Sequence, residues 1–110
     1  MKGRARVIVI DDDIDSLGSV ATALRRDGYD VHPFADPSAG LAHLASEGAD
    51  VVVTDLKMPG ISGMEVVGRV AAEHPGVSVV VLTAFGTVYN AVEAMRAGAS
   101  DFLEKPVGIP

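Results

Sequence analysis

Four stretches of this sequence end in side chains that could do chemistry together. Arg6-Val7-Ile8-Val9-Ile10 stops at Asp11-Asp12-Asp13, and Val51-Val52-Val53-Thr54 delivers a single carboxylate, Asp55, ahead of Leu56-Lys57-Met58-Pro59-Gly60. Thr83 closes the apolar run from Val77, and Lys105 follows Ser100 to Leu103. Carboxylates crowded into one crevice repel one another, and a hard divalent cation with oxygen ligands relieves the repulsion. Mg²⁺ suits Asp11, Asp12 and Asp55, because it takes one or two carboxylates, keeps several waters and leaves room for phosphate oxygens. A hydroxyl from Thr83 and an ammonium from Lys105 would complete the set that phosphoryl transfer needs, since that chemistry consists mostly of positioning and charge stabilisation. Asp55 would be the nucleophile and would carry an acyl phosphate.

Such a set acts only if the chain brings its pieces together. The strand-like runs are apolar on both faces, as in buried parallel sheets, and each is followed by a helical pattern. Leu17, Val20, Ala21 and Leu24 recur with helical spacing, and the helix closes with Arg25-Arg26 and Gly28. Asp36-Pro37 and Ser62-Gly63-Met64-Glu65 carry helix-start signals, the second with capping-box spacing, for a helix carrying Leu41, Leu44 and Ala45 and one burying Val66, Val67, Val70 and Ala71. Val88, Val92 and Met95 stripe a fourth helix that Gly98 ends. Five strands alternating with four helices through short loops predict a doubly wound parallel α/β sheet in a single domain over residues 1–110. One of the two usual strand orders, the flavodoxin-like 2-1-3-4-5, makes strands one and three neighbours and gathers Asp11, Asp12 and Asp55 at the switch point.

Bulk properties narrow the function. Nine basic residues against fifteen acidic ones give a net charge of -6, which argues against nucleic-acid binding by this domain because a phosphate backbone needs a basic face. The basic N-terminus leads into only a short apolar run, excluding a signal peptide or a membrane span. Cysteine is absent, which fits a cytoplasmic location and removes thiolate chemistry. Asp13 reads as a helix-start residue and not as a metal ligand. His32, His43 and His74 lie far from the acidic cluster and share no spacing that suggests a metal.

Val7 to Asp13, Val53 to Gly63, Leu82-Thr83-Ala84 and Phe102-Leu103-Glu104-Lys105-Pro106 resemble the motifs of the receiver domain of bacterial two-component response regulators. The resemblance spans essentially the whole chain. Thr83-Ala84-Phe85-Gly86 and Ala91 to Ala99 are most similar to receivers attached to AAA+ transcriptional activators of the nitrogen-regulatory type. It implies that Asp55 accepts a phosphoryl group from a phosphohistidine on a sensor histidine kinase and thereby controls an output domain. It implies that Asp11, Asp12, Asp55 and the main-chain carbonyl of Lys57 surround Mg²⁺, with Asp11 acting through water. It further implies that Thr83 and Phe102 form the switch pair, that Lys105 pairs with Asp55 or its phosphate, and that the Lys105-Pro106 bond is cis. Phe102 stands where many relatives carry Tyr, so no ring hydroxyl can report its position.

Receivers continue after Lys105-Pro106 into a fifth helix, whereas Val107-Gly108-Ile109-Pro110 ends this sequence, so the chain reads as truncated before that helix. One sheet face would then be covered by the first helix alone, and such a chain is expected to self-associate as a homodimer or to lose stability. The competing class is an enzyme, a Mg²⁺-dependent phosphatase of the haloacid-dehalogenase sort. Its site would place a second Asp two residues after the nucleophile, where this sequence has Lys57. A nucleotide-binding module is disfavoured, because no glycine-rich phosphate loop follows the first strand.

Overall fold

The computed structural model describes residues 4–105. Five strands, β1 (Arg6–Ile10), β2 (Asp30–Phe34), β3 (Val51–Thr54), β4 (Ser78–Thr83) and β5 (Asp101–Glu104), alternate with α1 (Ile14–Arg26), α2 (Pro37–Glu47), α3 (Gly63–Glu73) and α4 (Val88–Ala97). All pairings are parallel, and the order is β2-β1-β3-β4-β5, the flavodoxin-like sheet. Strands one and three are therefore hydrogen-bonded neighbours, in register from Val7 opposite Val51 to Ile10 opposite Thr54.

The period-two alternation of strand side chains divides the core in two. Ile8, Ile10, Val52, Val79 and Val81 point to one face, where Leu44 of α2, Val66, Val67 and Val70 of α3 and Ala94 of α4 close over them. Val7, Val9 and Leu82 point to the other, where Leu17, Val20 and Ala21 of α1 cover them. Coverage there is thinner. Val53 and Val80 are only half-buried, and an open groove of about 1040 Å³ runs beside α1, walled by Val20, Leu24, Val53, Val80, Leu82 and Leu103 among the described residues. This is the face on which the sequence pattern supplies one helix.

Each helix start is fixed by a side chain. Asp13 accepts from the amides of Asp15 and Ser16, Asp36 from Ser38 with Pro37 at the first helical position, Ser62 from Glu65, and Thr87 from Asn90. The capping box at α3 is only half made: Glu65 turns to Arg69 at 2.7 Å, leaving Ser62 as the sole cap.

The fourth helix departs from expectation. Val88, Val92 and Met95 are the exposed stripe, with Val88 83% accessible, and Ala94 is the buried residue. The reason is close approach. A Cβ added at Gly98, which ends α4 with φ at 117°, would lie 2.6 Å from the Cβ of Ala71 on α3, so only small residues fit between the two helices and the larger ones face outward.

Candidate functional site

Adjacent strand ends assemble the acidic cluster. The Asp55 amide donates to the Ile10 carbonyl at 3.0 Å and the Asp11 amide to the Phe34 carbonyl at 3.1 Å, so each carboxylate leaves the sheet where a neighbouring strand still holds its backbone. Asp11 and Asp55 are 3% and 7% exposed, while Asp12 lies open on the rim. The three offer one carboxylate oxygen each, all within 4.8 Å of one another. Local donors orient the two buried groups: Asp13 N–H reaches Asp11 Oδ1 at 3.0 Å, and Leu56 N–H reaches Asp55 Oδ1 at 2.6 Å. Asp13 itself is the α1 cap and contributes no oxygen to the cluster.

Lys105 supplies the opposite charge. Its amide donates to the Thr83 carbonyl at 2.9 Å, anchoring the end of β5 to the end of β4, and its Nζ bridges Asp11 Oδ2 at 2.5 Å and Asp55 Oδ2 at 3.2 Å. Asp11 is thus the nearer partner, where sequence alone pointed to Asp55. Desolvation pulls the ammonium's pKa down, but the hydrogen bond and charge of Asp11, followed by those of Asp55, outweigh it and leave the pKa raised above 10.5. A folded-state pKa above the unfolded one stabilises the fold fully below the unfolded value, and that contribution is lost as pH climbs through the raised one. In metal-free buffer, taking the parent from neutral to strongly alkaline pH should therefore cost more stability than the same change costs Lys105→Ala. Urea unfolding of both proteins at the two pH values checks this, and equal losses would refute it.

Thr83 is fully buried, and its Oγ1 accepts the Phe85 amide at 3.1 Å. Phe102 lies opposite Val81 in register and packs, half-buried, against the cluster that α2, α3 and α4 cover. Lys57 is exposed in the loop after Asp55, its ammonium 4.7 Å from the centre of the Phe85 ring. The Lys105-Pro106 bond lies outside the described residues. The histidines stay apart from this site: His32 stacks on His43 with ring centres 4.9 Å apart at the β2–α2 side, and His74 ends α3. Sequence reasoning missed the Lys57–Phe85 contact and Arg25, whose guanidinium donates to the Val31 carbonyl at 3.0 Å in addition to any helix-dipole role. No sequence spacing signals either pair, because each depends on how two loops or a helix and a strand settle against one another.

Three carboxylates facing one ammonium leave an excess of negative charge on a cluster of hard oxygen donors, two of whose residues are buried. That donor chemistry fits Mg²⁺, with Asp11, Asp12 and Asp55 as its carboxylates. The geometry also places the buried Asp55 directly after β3, with a hydroxyl-bearing residue, Thr83, ending β4 and an ammonium-bearing one, Lys105, following β5.

Comparison with known proteins agrees with this geometry. Residues 7–110 match the family described as the response regulator receiver domain. Transcriptional regulatory protein FixJ of Bradyrhizobium diazoefficiens is 39% identical over 96% of this chain, which spans 52% of that protein. Nitrogen assimilation regulatory protein NtrX of Azorhizobium caulinodans is 33% identical over 91% of this chain, which spans 22% of it. A solved receiver domain from Clostridium thermocellum superposes with a TM-score of 0.87 at 36% identity, covering 94% of this chain and 83% of that one. The chain therefore spans about half or less of these curated relatives. Among the described residues no helix is long and apolar enough to cross a membrane. With an Asp at the end of the third strand, an acidic pair after the first, and Thr and Lys after the fourth and fifth, the chain belongs to the response regulator receiver domain family.

Proposed function

We propose that this domain is the phosphorylation switch of a cytoplasmic two-component phosphorelay. The Asp55 carboxylate attacks the phosphorus of a phosphohistidine on a sensor histidine kinase; the new O–P bond forms as the P–N bond breaks and the imidazole leaves. The observation that carries this reading is the Lys105 ammonium set between buried Asp11 and Asp55, with Asp12 on the rim. Asp11, through water, Asp12, Asp55 and the Lys57 main-chain carbonyl are the groups that would hold Mg²⁺. When bound, that ion supplies charge neutralisation for the incoming phosphoryl oxygens. Lys105 keeps the site from accumulating repulsion and answers the phosphate's charge once it is attached. Thr83 turns its hydroxyl toward the phosphoryl group, and the half-buried Phe102 ring moves into the space it leaves. The output is an attached domain controlling transcription, in keeping with the relatives described as transcriptional regulators. The domain makes no direct contact with nucleic acid or membrane, and the thinly covered face beside α1 is where two copies would pair as a homodimer.

Acetyl phosphate with Mg²⁺ tests the reading. A stoichiometric adduct that survives acid, is lost in base and reacts with hydroxylamine is expected, because those are the properties of an acyl phosphate. Continuous release of phosphate with no accumulated adduct would instead indicate the Mg²⁺-dependent phosphatase reading, against which Lys57 stands two residues after the nucleophile.

A further inference from the structure

Phe85 is tied down at three points. Its amide donates to Thr83 Oγ1 at 3.1 Å, its carbonyl accepts from Asn90 Nδ2 in the first turn of α4 at 2.9 Å, and its ring carries the Lys57 ammonium at 4.7 Å. Phe85 is 49% exposed, so burial does little to fix its ring. Two of the three restraints come from groups beside Asp55: Thr83 ends the adjacent strand, and Lys57 follows Asp55 by two residues.

We propose that the Lys57–Phe85 contact is a latch that holds the loop between β4 and α4 in its resting position and yields when Asp55 carries a phosphoryl group; this rests on the phosphoacceptor reading above. An attached phosphoryl group brings new negative charge beside Lys57, and attraction between full charges outweighs a cation on the face of a half-exposed ring. The ammonium then leaves the ring. The same group draws the Thr83 hydroxyl, which releases the Phe85 amide. One event thus removes two of the three restraints on Phe85, and the third, through Asn90, passes the displacement to the first turn of α4. Because the ring competes with the phosphoryl group for one ammonium, residue 85 sets how readily the phosphorylated arrangement forms.

The probe is beryllofluoride with Mg²⁺, a non-covalent stand-in for the phosphoryl group, titrated into the full chain and read by fluorine NMR. Phe85→Leu, which removes the ring face and leaves Lys57 in place, should tighten binding by about two- to fivefold. Phe85→Tyr, which keeps the ring face, should match the parent. In a Lys57→Met background, Phe85→Leu should change nothing, since the partner of the ring is already gone. Unchanged or weaker binding by Phe85→Leu, or equal tightening with and without Lys57, would overturn the latch alone. Failure of the parent to bind beryllofluoride would overturn the phosphoacceptor reading, and the latch with it. Thermal melts of each variant separate a binding effect from loss of fold.

Discussion

Asp55→Asn should take up no phosphoryl group from acetyl phosphate while keeping its fold. An amide is a poor nucleophile toward phosphorus, and no other carboxylate in the cluster is placed alike: Asp11 is held 2.5 Å from the Lys105 ammonium, and Asp12 lies on the open rim. The effect on stability follows from opposing losses. Asp55 gives one oxygen to the Leu56 amide and the other to Lys105, and an amide can accept at only one of those two places. Against that, removing one of three clustered negative charges relieves repulsion, and Lys105 retains Asp11. The net change should stay within about 1 kcal/mol. Intact mass after acetyl phosphate treatment, alongside a thermal melt, decides both halves. An undiminished adduct on the Asn variant would move the acceptor to another residue.

Gly63→Ala is expected to be the most damaging glycine-to-alanine change among the described residues. Gly63 opens α3 with its amide on the Leu56 carbonyl at 2.8 Å, so the helix start is pressed against the loop that leaves Asp55. A Cβ at Gly63 would run into the Asp55 carbonyl oxygen and would lie 2.6 Å from Leu56 Cα. Backbone cannot swing aside as a flexible side chain can, so α3 or the Asp55 loop must move. We expect a loss above about 3 kcal/mol, seen as a melting temperature lower by about 12 °C or more. Gly68 is the internal control. It lies in the same helix with nothing within 4 Å of an added Cβ, and Gly68→Ala should stabilise by up to about 1 kcal/mol through helix propensity alone. If the two substitutions shift the melt in the same direction, the steric account of Gly63 is wrong.

The sequence was most legible where a residue's role is set by its immediate neighbours along the chain. The two-faced apolar runs of β1, β3 and β4, the caps at Asp13, Asp36 and Ser62, and the turns after Asp11 and Asp55 all depend on local pattern, and the structure places them accordingly. Strand order is less legible, since periodicity alone leaves two usual orders open, and 2-1-3-4-5 is the one that gathers Asp11, Asp12 and Asp55. The orientation of α4 was not legible, because a helix with apolar residues on two sides gives no sign of which side meets the sheet. That choice is made by the contact of Gly98 with Ala71, on an element 27 residues earlier in the chain. The preference of Lys105 for Asp11 was hidden for a similar reason: both carboxylates are strand-end aspartates, and their distances to the ammonium are set only when β5 joins β4. The capping-box spacing assigns Gly63 no role of its own, although its lack of a side chain is what lets α3 seat against the Asp55 backbone.

The bridge from Lys105 to Asp11 joins residues 94 positions apart, and the second bond, to Asp55, spans 50. Nearly the whole described chain is therefore one closed loop, the kind of contact whose entropic cost is met late in folding. Chains fold as they leave the ribosome, N-terminal parts first. A nascent chain that has formed β1 and β3 holds its aspartates side by side but lacks the ammonium that β5 delivers. Until β5 has emerged and paired, the clustered aspartates lack the Lys105 ammonium. On the phosphoacceptor reading proposed above, competence to answer a phosphoryl donor would therefore wait on the pairing of β5 with β4.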